Sequence, residues 1–95
     1  MIYTVIYSPV AIETFDEITK QINNRWGDRY VDEFTQRTIK VIETIRSSPF
    51  IFQVIESNVN VRKGVIHKNC SVFYEIRDTT IDILFFWDNR QNPIL

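Results

Sequence analysis

The sequence has little cysteine, and this shortage argues against a small secreted domain held together by disulfides. Cys70 is the only cysteine among the 95 residues, so an internal disulfide cannot form. A small secreted domain usually needs several disulfides. We therefore expect a reducing compartment and a cytoplasmic protein. Gly-rich phosphate loops, low-complexity tracts and linkers are also lacking.

Long apolar runs and an excess of basic residues are missing as well. The most hydrophobic stretch, 83–87, is far shorter than the roughly 20 residues needed to cross a bilayer. The start, 1–6, has no positive n-region or cleavage site and alternates like a strand, so we expect it to be retained. The formal net charge of -1 and a pI near 5.7 remove the simplest argument for nucleic-acid binding.

Metal and cofactor chemistry has no support in the sequence. His67 is the only histidine, no Cys/His pair has metal-ligand spacing, and there is no nucleophile elbow. We expect neither a metal nor a cofactor. Cys70 follows His67 by three residues, and this odd separation on an alternating strand predicts side chains on opposite faces. The pair is thus interpreted as a loop histidine and a core cysteine rather than a catalytic pair.

The residues that are present indicate one compact domain over 1–95, with 44% hydrophobic and 14% aromatic content. β-formers over 2–7 predict an opening strand. Ser8 is a good helix N-cap, and Pro9 suits the first helical position. Apolar residues then recur at helical spacing: Ala11, Phe15, Ile18, Ile22 and Trp26. Gly27 fits the left-handed residue that ends this helix.

A second helix is predicted directly after Gly27, with Asp28 as its N-cap. Its apolar stripe comprises Tyr30, Val31, Phe34, Val41, Ile42 and Ile45. Ser47-Ser48-Pro49 ends it. The two helices are therefore interpreted as a tight antiparallel hairpin. The following segment, 50–55, is too apolar for an exposed loop and too close to Pro49 for a confident strand, so we expect it to lie against the core.

The remainder alternates with a period of two, which predicts three strands. The alternating positions are Val59 and Val61; Cys70, Val72, Tyr74 and Ile76; and Ile81, Ile83, Phe85 and Trp87. Turn-like residues separate them at 68–69 and 78–80. We predict an α+β fold of order βααβββ, in which the helical hairpin packs on one face of an antiparallel sheet ending in a three-stranded meander.

Two groups of charged residues are candidates for function. Arg62, Lys63, His67 and Lys68 form a basic run that could hold a phosphate backbone, although a solvated strand edge explains the same residues. After the last strand, Trp87, Asp88 and Arg90 bring together an aromatic ring, a carboxylate and a guanidinium. Asp88 and Arg90 could pair simply to fix the chain, or Arg90 could engage an anionic partner through two parallel hydrogen bonds.

The motifs and their order together resemble the RelE/ParE superfamily of toxins from bacterial type II toxin–antitoxin systems. The resemblance rests on these segments: Ser8-Pro9-Val10-Ala11, Arg25-Trp26-Gly27, Ser48-Pro49, Val61-Arg62-Lys63, Val72-Phe73-Tyr74-Glu75-Ile76, and Trp87-Asp88-Asn89-Arg90-Gln91-Asn92-Pro93. It spans nearly the whole chain and implies a small toxin that a cognate antitoxin holds inactive. One branch of the superfamily cleaves messenger RNA on the ribosome without a metal, and the other poisons DNA gyrase.

The resemblance also implies which residues act. Arg62 and Lys63 match the basic strand of the superfamily and Arg90 matches its terminal arginine, so these are the candidate catalytic residues. The candidates for binding the target are His67, Lys68, Arg77, Trp87 and Asp88. For a nuclease, proton transfer would fall to Glu75, His67 or Tyr74.

Three departures argue against an efficient nuclease. Ser71 stands where the RelE-like strand carries an arginine, and only Arg77 or Lys68 could substitute for it. The chain ends at Ile94-Leu95 without the tyrosine or histidine of the nucleases, and it is not basic. We therefore favour a ParE-like gyrase poison or an attenuated toxin. The alternatives are a RelE-like ribonuclease and a non-toxic homodimer that uses the 50–55 surface on itself.

Overall fold

Residues 2–55 and 58–90, which the computed structural model describes, form one five-stranded sheet with two helices on one of its faces. The elements are β1 (Thr4–Tyr7), α1 (Pro9–Trp26), α2 (Asp28–Ser47), β2 (Gln53–Ile55), β3 (Asn58–His67), β4 (Cys70–Ile76) and β5 (Thr80–Asp88). The strand order is β1-β5-β4-β3-β2. The predicted α+β class, helical hairpin and three-stranded meander are confirmed. The sheet is mixed rather than antiparallel, since β1 runs parallel to β5.

The two helices begin and end where the sequence predicts, with one difference in capping. Ser8 Oγ accepts a hydrogen bond from the Ala11 amide at 2.9 Å, and Pro9 opens α1. Gly27 has a φ of 90°, a conformation that glycine adopts without strain, and it separates the two helices. Asp28, predicted as an N-cap, is instead the first residue of α2, because Gly27 already occupies the cap position. Its carboxylate still favours the positive end of the helix dipole.

The core lies between the helices and the covered face of the sheet. Phe15 of α1 stacks on Phe34 of α2 with ring centroids 5.7 Å apart, and its edge meets Phe86 of β5 at 5.2 Å. Ile42 and Ile45 bring α2 against the same core. Strand residues complete it: Val72, Tyr74, Ile81 and Ile83, all fully buried. Every element except the short β2 thus contributes apolar surface that is removed from water.

A β-bulge in β5 changes which of its side chains face the core. Phe73 pairs with Phe85, but Tyr74 pairs with Ile83, so Leu84 is an extra residue. Because side chains alternate along a strand, one extra residue moves every later side chain to the other face. The sequence placed Phe85 and Trp87 on the same face as Ile81 and Ile83, and this prediction is wrong. Phe86, which is 3% exposed, fills the core instead.

Hydroxyl groups of α1 bind the backbone of β5 at this bulge. β1 ends at Tyr7, opposite Ile83, so the next backbone groups of β5 have no strand beside them. Ser8 Oγ donates to the Leu84 carbonyl at 2.7 Å, and the Phe86 amide donates to Thr14 Oγ1 at 2.9 Å. The start of α1 therefore continues the pairing that β1 begins.

The segment after α2 is only partly buried. Phe50 and Ile51 are each 63% exposed, whereas Phe52 packs against the core and β2 forms the edge of the sheet. The expectation that the whole segment lies against the core is thus wrong for its first two residues. A hydrogen bond ties its start to the sheet: the buried Tyr74 hydroxyl donates to the Pro49 carbonyl at 2.7 Å.

Replacing Thr14 by valine tests the contact between α1 and the bulge. Valine keeps the shape of the side chain but cannot accept the hydrogen bond from the Phe86 amide. Leaving a largely buried amide unpaired costs about 1–3 kcal/mol, so urea denaturation should show a loss of that size. Thr19→Val is the matched control, because Thr19 bonds only to the Asp16 carbonyl of its own helix. Equal denaturation midpoints for the two variants would contradict the assignment.

Tyr74 also predicts how stability changes at alkaline pH. Burial raises the pKa of Tyr74 from 10.0 to about 12, an effect that nearby Arg62 partly offsets. The folded state holds the neutral phenol, so its stabilising contribution is complete below pH 10 and is lost as pH rises through 10 towards 12. Tyr74→Phe should flatten the fall in unfolding free energy over that range. Tyr30→Phe, which alters an exposed ring, should retain the steep fall.

Candidate functional site

The face of the sheet opposite the helices, here called the open face, carries three aromatic side chains. Phe73, Phe85 and Trp87 form this aromatic strip: Phe73 and Phe85 stack with centroids 4.6 Å apart, and the edge of Trp87 meets Phe85 at 6.3 Å. Lys63 Nζ lies 5.9 Å from the centre of the Phe73 ring. Because Lys63, Phe73 and Phe85 are cross-strand partners, the register of three strands sets their contact.

The rest of the open face is balanced in charge. Arg77 donates to Asp82 at 2.6 Å and to Glu75 at 3.2 Å, near the end of β4 farthest from its turn with β3. Arg77 was a predicted target-binding residue and Glu75 a candidate for proton transfer. Here each serves as the partner of the other, and the bond to Asp82 helps to raise the pKa of Arg77 further.

Ser71 is buried on the open face, beside the aromatic strip. Its hydroxyl donates to Asn89 Oδ1 at 3.2 Å, and Asn89 Nδ2 donates back to it at 3.0 Å. The backbone amide of Asn89 also donates to the Asn69 carbonyl at 2.7 Å. Ser71, where the resemblance calls for an arginine, therefore joins β4 to Asn89 after β5, and it offers no positive charge.

Arg62 points to the covered face, away from Lys63. Its Nη1 donates to the carbonyls of Phe52 at 2.7 Å and Phe50 at 3.1 Å, and the guanidinium lies 5.2 Å from the centre of the Phe50 ring. Since neighbouring residues of a strand face opposite ways, the side chains of Arg62 and Lys63 lie on opposite faces of the sheet. Arg62 instead holds the segment between α2 and β2.

Four other residues predicted to belong to the site lie together at the end of the sheet that contains the β3–β4 turn. They line a cleft of about 590 Å³, here called the hairpin cleft, between the helical hairpin and the β3–β4 turn. These four are His67, Lys68, Asp88 and Arg90. Trp26 and Tyr30, each 50% exposed, form its helical wall, and Arg37 adds a further cation. The cleft thus combines an apolar wall with a rim that carries charges of both signs.

The cleft contains charges of both signs: Arg37, Lys68 and Arg90 are cations, and Glu33 and Asp88 are carboxylates. Arg90 Nη2 lies 2.7 Å from Asp88 Oδ2, and this bond holds the pKa of Asp88 below its usual value. Partial burial, together with Arg37 and Lys68, lowers the pKa of His67. The His67 Nδ1 atom accepts a hydrogen bond from the Asn69 amide at 3.2 Å. Both observations favour the neutral form of His67, and a neutral ring that accepts at Nδ1 carries its proton on Nε2.

His67 and Cys70 lie on the same face of the sheet, contrary to the sequence prediction. They are cross-strand partners on either side of a two-residue turn, so the alternation rule for a single strand does not apply. Both line the hairpin cleft. Burial raises the pKa of the Cys70 thiol to about 12, which leaves it protonated and unreactive near neutral pH. The raised pKa of the thiol, rather than the orientation of the two side chains, argues against a catalytic pair.

The structure also shows contributions that the sequence did not reveal. Phe73 and Phe85 were treated as ordinary strand residues, and Arg37 was not singled out. The aromatic strip depends on the bulge at Leu84, for which the sequence gives no clear signal. Within residues 2–55 and 58–90, no three metal-ligand side chains come together, and neither helix is long and apolar enough to span a membrane. The motif residues Gln91-Asn92-Pro93 and the final Ile94-Leu95 lie outside the described residues.

Several solved toxins share this fold at low sequence identity. The chain superimposes on the chromosomal ParDE system of P. aeruginosa with a TM-score of 0.77 and 12% identity, covering 92% of this chain and 96% of that one. For the E. coli DinJ-YafQ toxin–antitoxin complex the TM-score is 0.66 with 9% identity, over 95% and 96%. For the S. aureus YoeB dimer it is 0.64 with 14% identity, over 92% and 97%.

A family model supplies the more specific assignment. No curated protein matches the chain significantly. Residues 5–93, however, match the model described as the ParE toxin of the type II toxin–antitoxin system parDE. That range includes both helices, β1 except for Thr4, the other four described strands, the aromatic strip and the hairpin cleft. The chain belongs to the ParE toxin family of type II toxin–antitoxin systems, within the RelE/ParE superfamily.

Proposed function

We propose that this toxin arrests growth by binding a protein target through the aromatic strip of its open face, and that it does not cleave RNA. One observation carries the proposal: the open face presents stacked rings and a balanced set of charges instead of a cluster of cations. Aromatic side chains are enriched in protein–protein contacts. DNA gyrase is the target that the resemblance to the ParE-like branch implies.

A ribonuclease would need several cations around one phosphate. Of the residues expected to supply them, Arg62 donates to backbone carbonyls, Arg77 is held by two carboxylates, and Ser71 replaces an arginine. Lys63 is the predicted cation that remains beside the aromatic strip. Removing one charge donor from such a site commonly costs about 10²–10³ in rate, so an arrangement with this many losses would be a poor nuclease.

The second candidate is a ribonuclease that uses the hairpin cleft. It is favoured by a specific observation: three cations, Arg37, Lys68 and Arg90, line this cleft beside two carboxylates, Glu33 and Asp88. Two features argue against it: Arg90 is paired with Asp88, and His67 Nδ1 already accepts a hydrogen bond from the Asn69 amide.

We also propose that a cognate antitoxin neutralises the toxin by covering its exposed apolar side chains. Two groups of them are the candidates: Trp26 and Tyr30 in the wall of the hairpin cleft, and Phe50 and Ile51 after α2. Contiguous apolar patches on a protein surface commonly mark the sites where a partner binds. Co-expression with the product of the neighbouring small open reading frame tests this, and failure of the two to bind would contradict it.

Replacing Phe85 by serine tests the aromatic strip. The variant keeps the covered core, so it should still fold with a cooperative urea transition, but its growth arrest should fall at least tenfold at equal protein level. Ile12→Ser is the matched control: Ile12 is 63% exposed on α1, away from the strip, and should remain fully toxic. Equal toxicity of the two variants would overturn the role of the strip.

Mapping transcripts and DNA damage in the same cultures separates the two candidate functions. The wild type, Lys63→Met and Arg90→Ala should all arrest growth with intact transcripts and an induced DNA-damage response. Toxicity should change less than about threefold, because neither cation takes part in a phosphate-transfer step. Ribosome-dependent cuts that disappear in Arg90→Ala would instead establish the ribonuclease.

A further inference from the structure

The outer edge of β1 has backbone groups to which no described strand pairs. On its inner side β1 is fixed to β5: the Thr4 amide donates to the Thr79 carbonyl at 3.1 Å, and the Ser8 amide donates to the Ile83 carbonyl at 3.0 Å. In a parallel ladder the alternate residues, Val5 and Tyr7, therefore direct their N–H and C=O groups outward. β1 is the last strand of the sheet on this side among the described residues.

α2 caps the start of this edge, where the Tyr3 amide donates to the Arg46 carbonyl at 3.2 Å, but no feature within Thr4–Tyr7 protects the rest from pairing. Natural edge strands are usually blunted by charges, proline or bulges. Thr4–Tyr7 contains none of these. Its own Ile6 is 48% exposed, and the nearby Ile2 and Val10 are 64% and 51% exposed. The opposite edge, β2, differs because it has only three residues and a register shift beside them.

We propose that β1 pairs with β1 of a second copy of this chain, in antiparallel orientation about a two-fold axis at Ile6. In that register Val5 faces the partner's Tyr7, and the outward groups of both residues exchange hydrogen bonds on each side of the axis. The two Ile6 residues then meet as a pair without direct hydrogen bonds, on the open face. The edge is thus complementary to itself, as a two-fold interface requires.

Charge supports a second copy as the occupant. The strand itself is uncharged, and the shallow groove between β1 and α2 is flanked by Glu43 and Arg46, one residue of each sign. Two copies therefore meet without an excess of like charge. A strand of four residues provides less than the roughly 1,200 Å² of a typical stable interface, so the dimer should dissociate on dilution.

Pairing through β1 would also bring the aromatic strips of two copies onto one surface. The proposed function does not depend on this pairing. A two-fold axis perpendicular to the sheet keeps the open faces of both copies on the same side. Each dimer would then present two aromatic strips in one continuous surface, so a two-fold symmetric target could bind both strips at once and gain avidity.

Disulfide trapping tests the register directly. Cα atoms of such a non-bonded pair lie about 4.5 Å apart, within disulfide range. Purified Ile6→Cys should form covalent dimers under mild oxidation at least tenfold faster than Ile12→Cys, which places a thiol at an exposed position on α1. The native Cys70 is buried and should not compete. Equal rates for the two variants, or a dimer that forms while Ile6→Cys fails to cross-link, would overturn the proposal.

Hydrogen exchange of the wild type provides an independent measurement. The amides of Val5 and Tyr7 should become protected as protein concentration rises, in step with the dimer fraction from analytical ultracentrifugation. A monomer at every concentration, with these amides protected only when a cognate antitoxin is added, would assign the edge to an extended segment of another protein and refute self-pairing.

Discussion

The hydrogen bonds between α1 and the bulge of β5 determine how the rest of the molecule is arranged. β5 is the second strand of the sheet, and β1 covers its backbone only as far as Ile83. Beyond that point the Ser8 and Thr14 hydroxyls satisfy the Leu84 carbonyl and the Phe86 amide. Unpaired groups there would cost about as much as one or two hydrogen bonds, a large fraction of the stability of a small domain.

The bulge divides the apolar residues of β5 between two surfaces. Ile81 and Ile83 before it, and Phe86 after it, face the core, whereas Phe85 and Trp87 are left on the open face. The same shift turns Asp88 towards the hairpin cleft, where it pairs with Arg90. A single inserted residue thus produces the packed core, the aromatic strip and one wall of the cleft.

Local sequence patterns predicted the elements well because each depends on near neighbours. The Ser8-Pro9 start of α1, the glycine between the helices and the alternation of β4 all have short-range causes. Local patterns did not predict which side chains lie together, because this depends on contacts between residues that are far apart in the chain. The orientation of Phe85 depends on hydroxyls more than 70 residues earlier in the chain, and His67 meets Cys70 through a turn that single-strand alternation does not describe.

The arrangement of the candidate site likewise could not be predicted from local sequence patterns. Arg62, Lys63 and Arg90 were grouped by resemblance, but strand parity separates the first two, and Arg90 lies at the cleft. Charge alone could not show that Arg62 would be bound to the carbonyls of Phe50 and Phe52, because that segment has no regular pattern. What the sequence did indicate, a shortage of free positive charge, agrees with the arrangement of the open face.

Site-specific photo-cross-linking would test most directly whether the aromatic strip contacts the target. A photoreactive phenylalanine analogue placed at position 85 reports every protein that touches the strip in growing cells, and the same group at position 12 reports the background. The account predicts a prominent adduct with a single protein target, a gyrase subunit, from position 85 and none from position 12. Adducts to ribosomal components from position 85, or identical adducts from both positions, would contradict it.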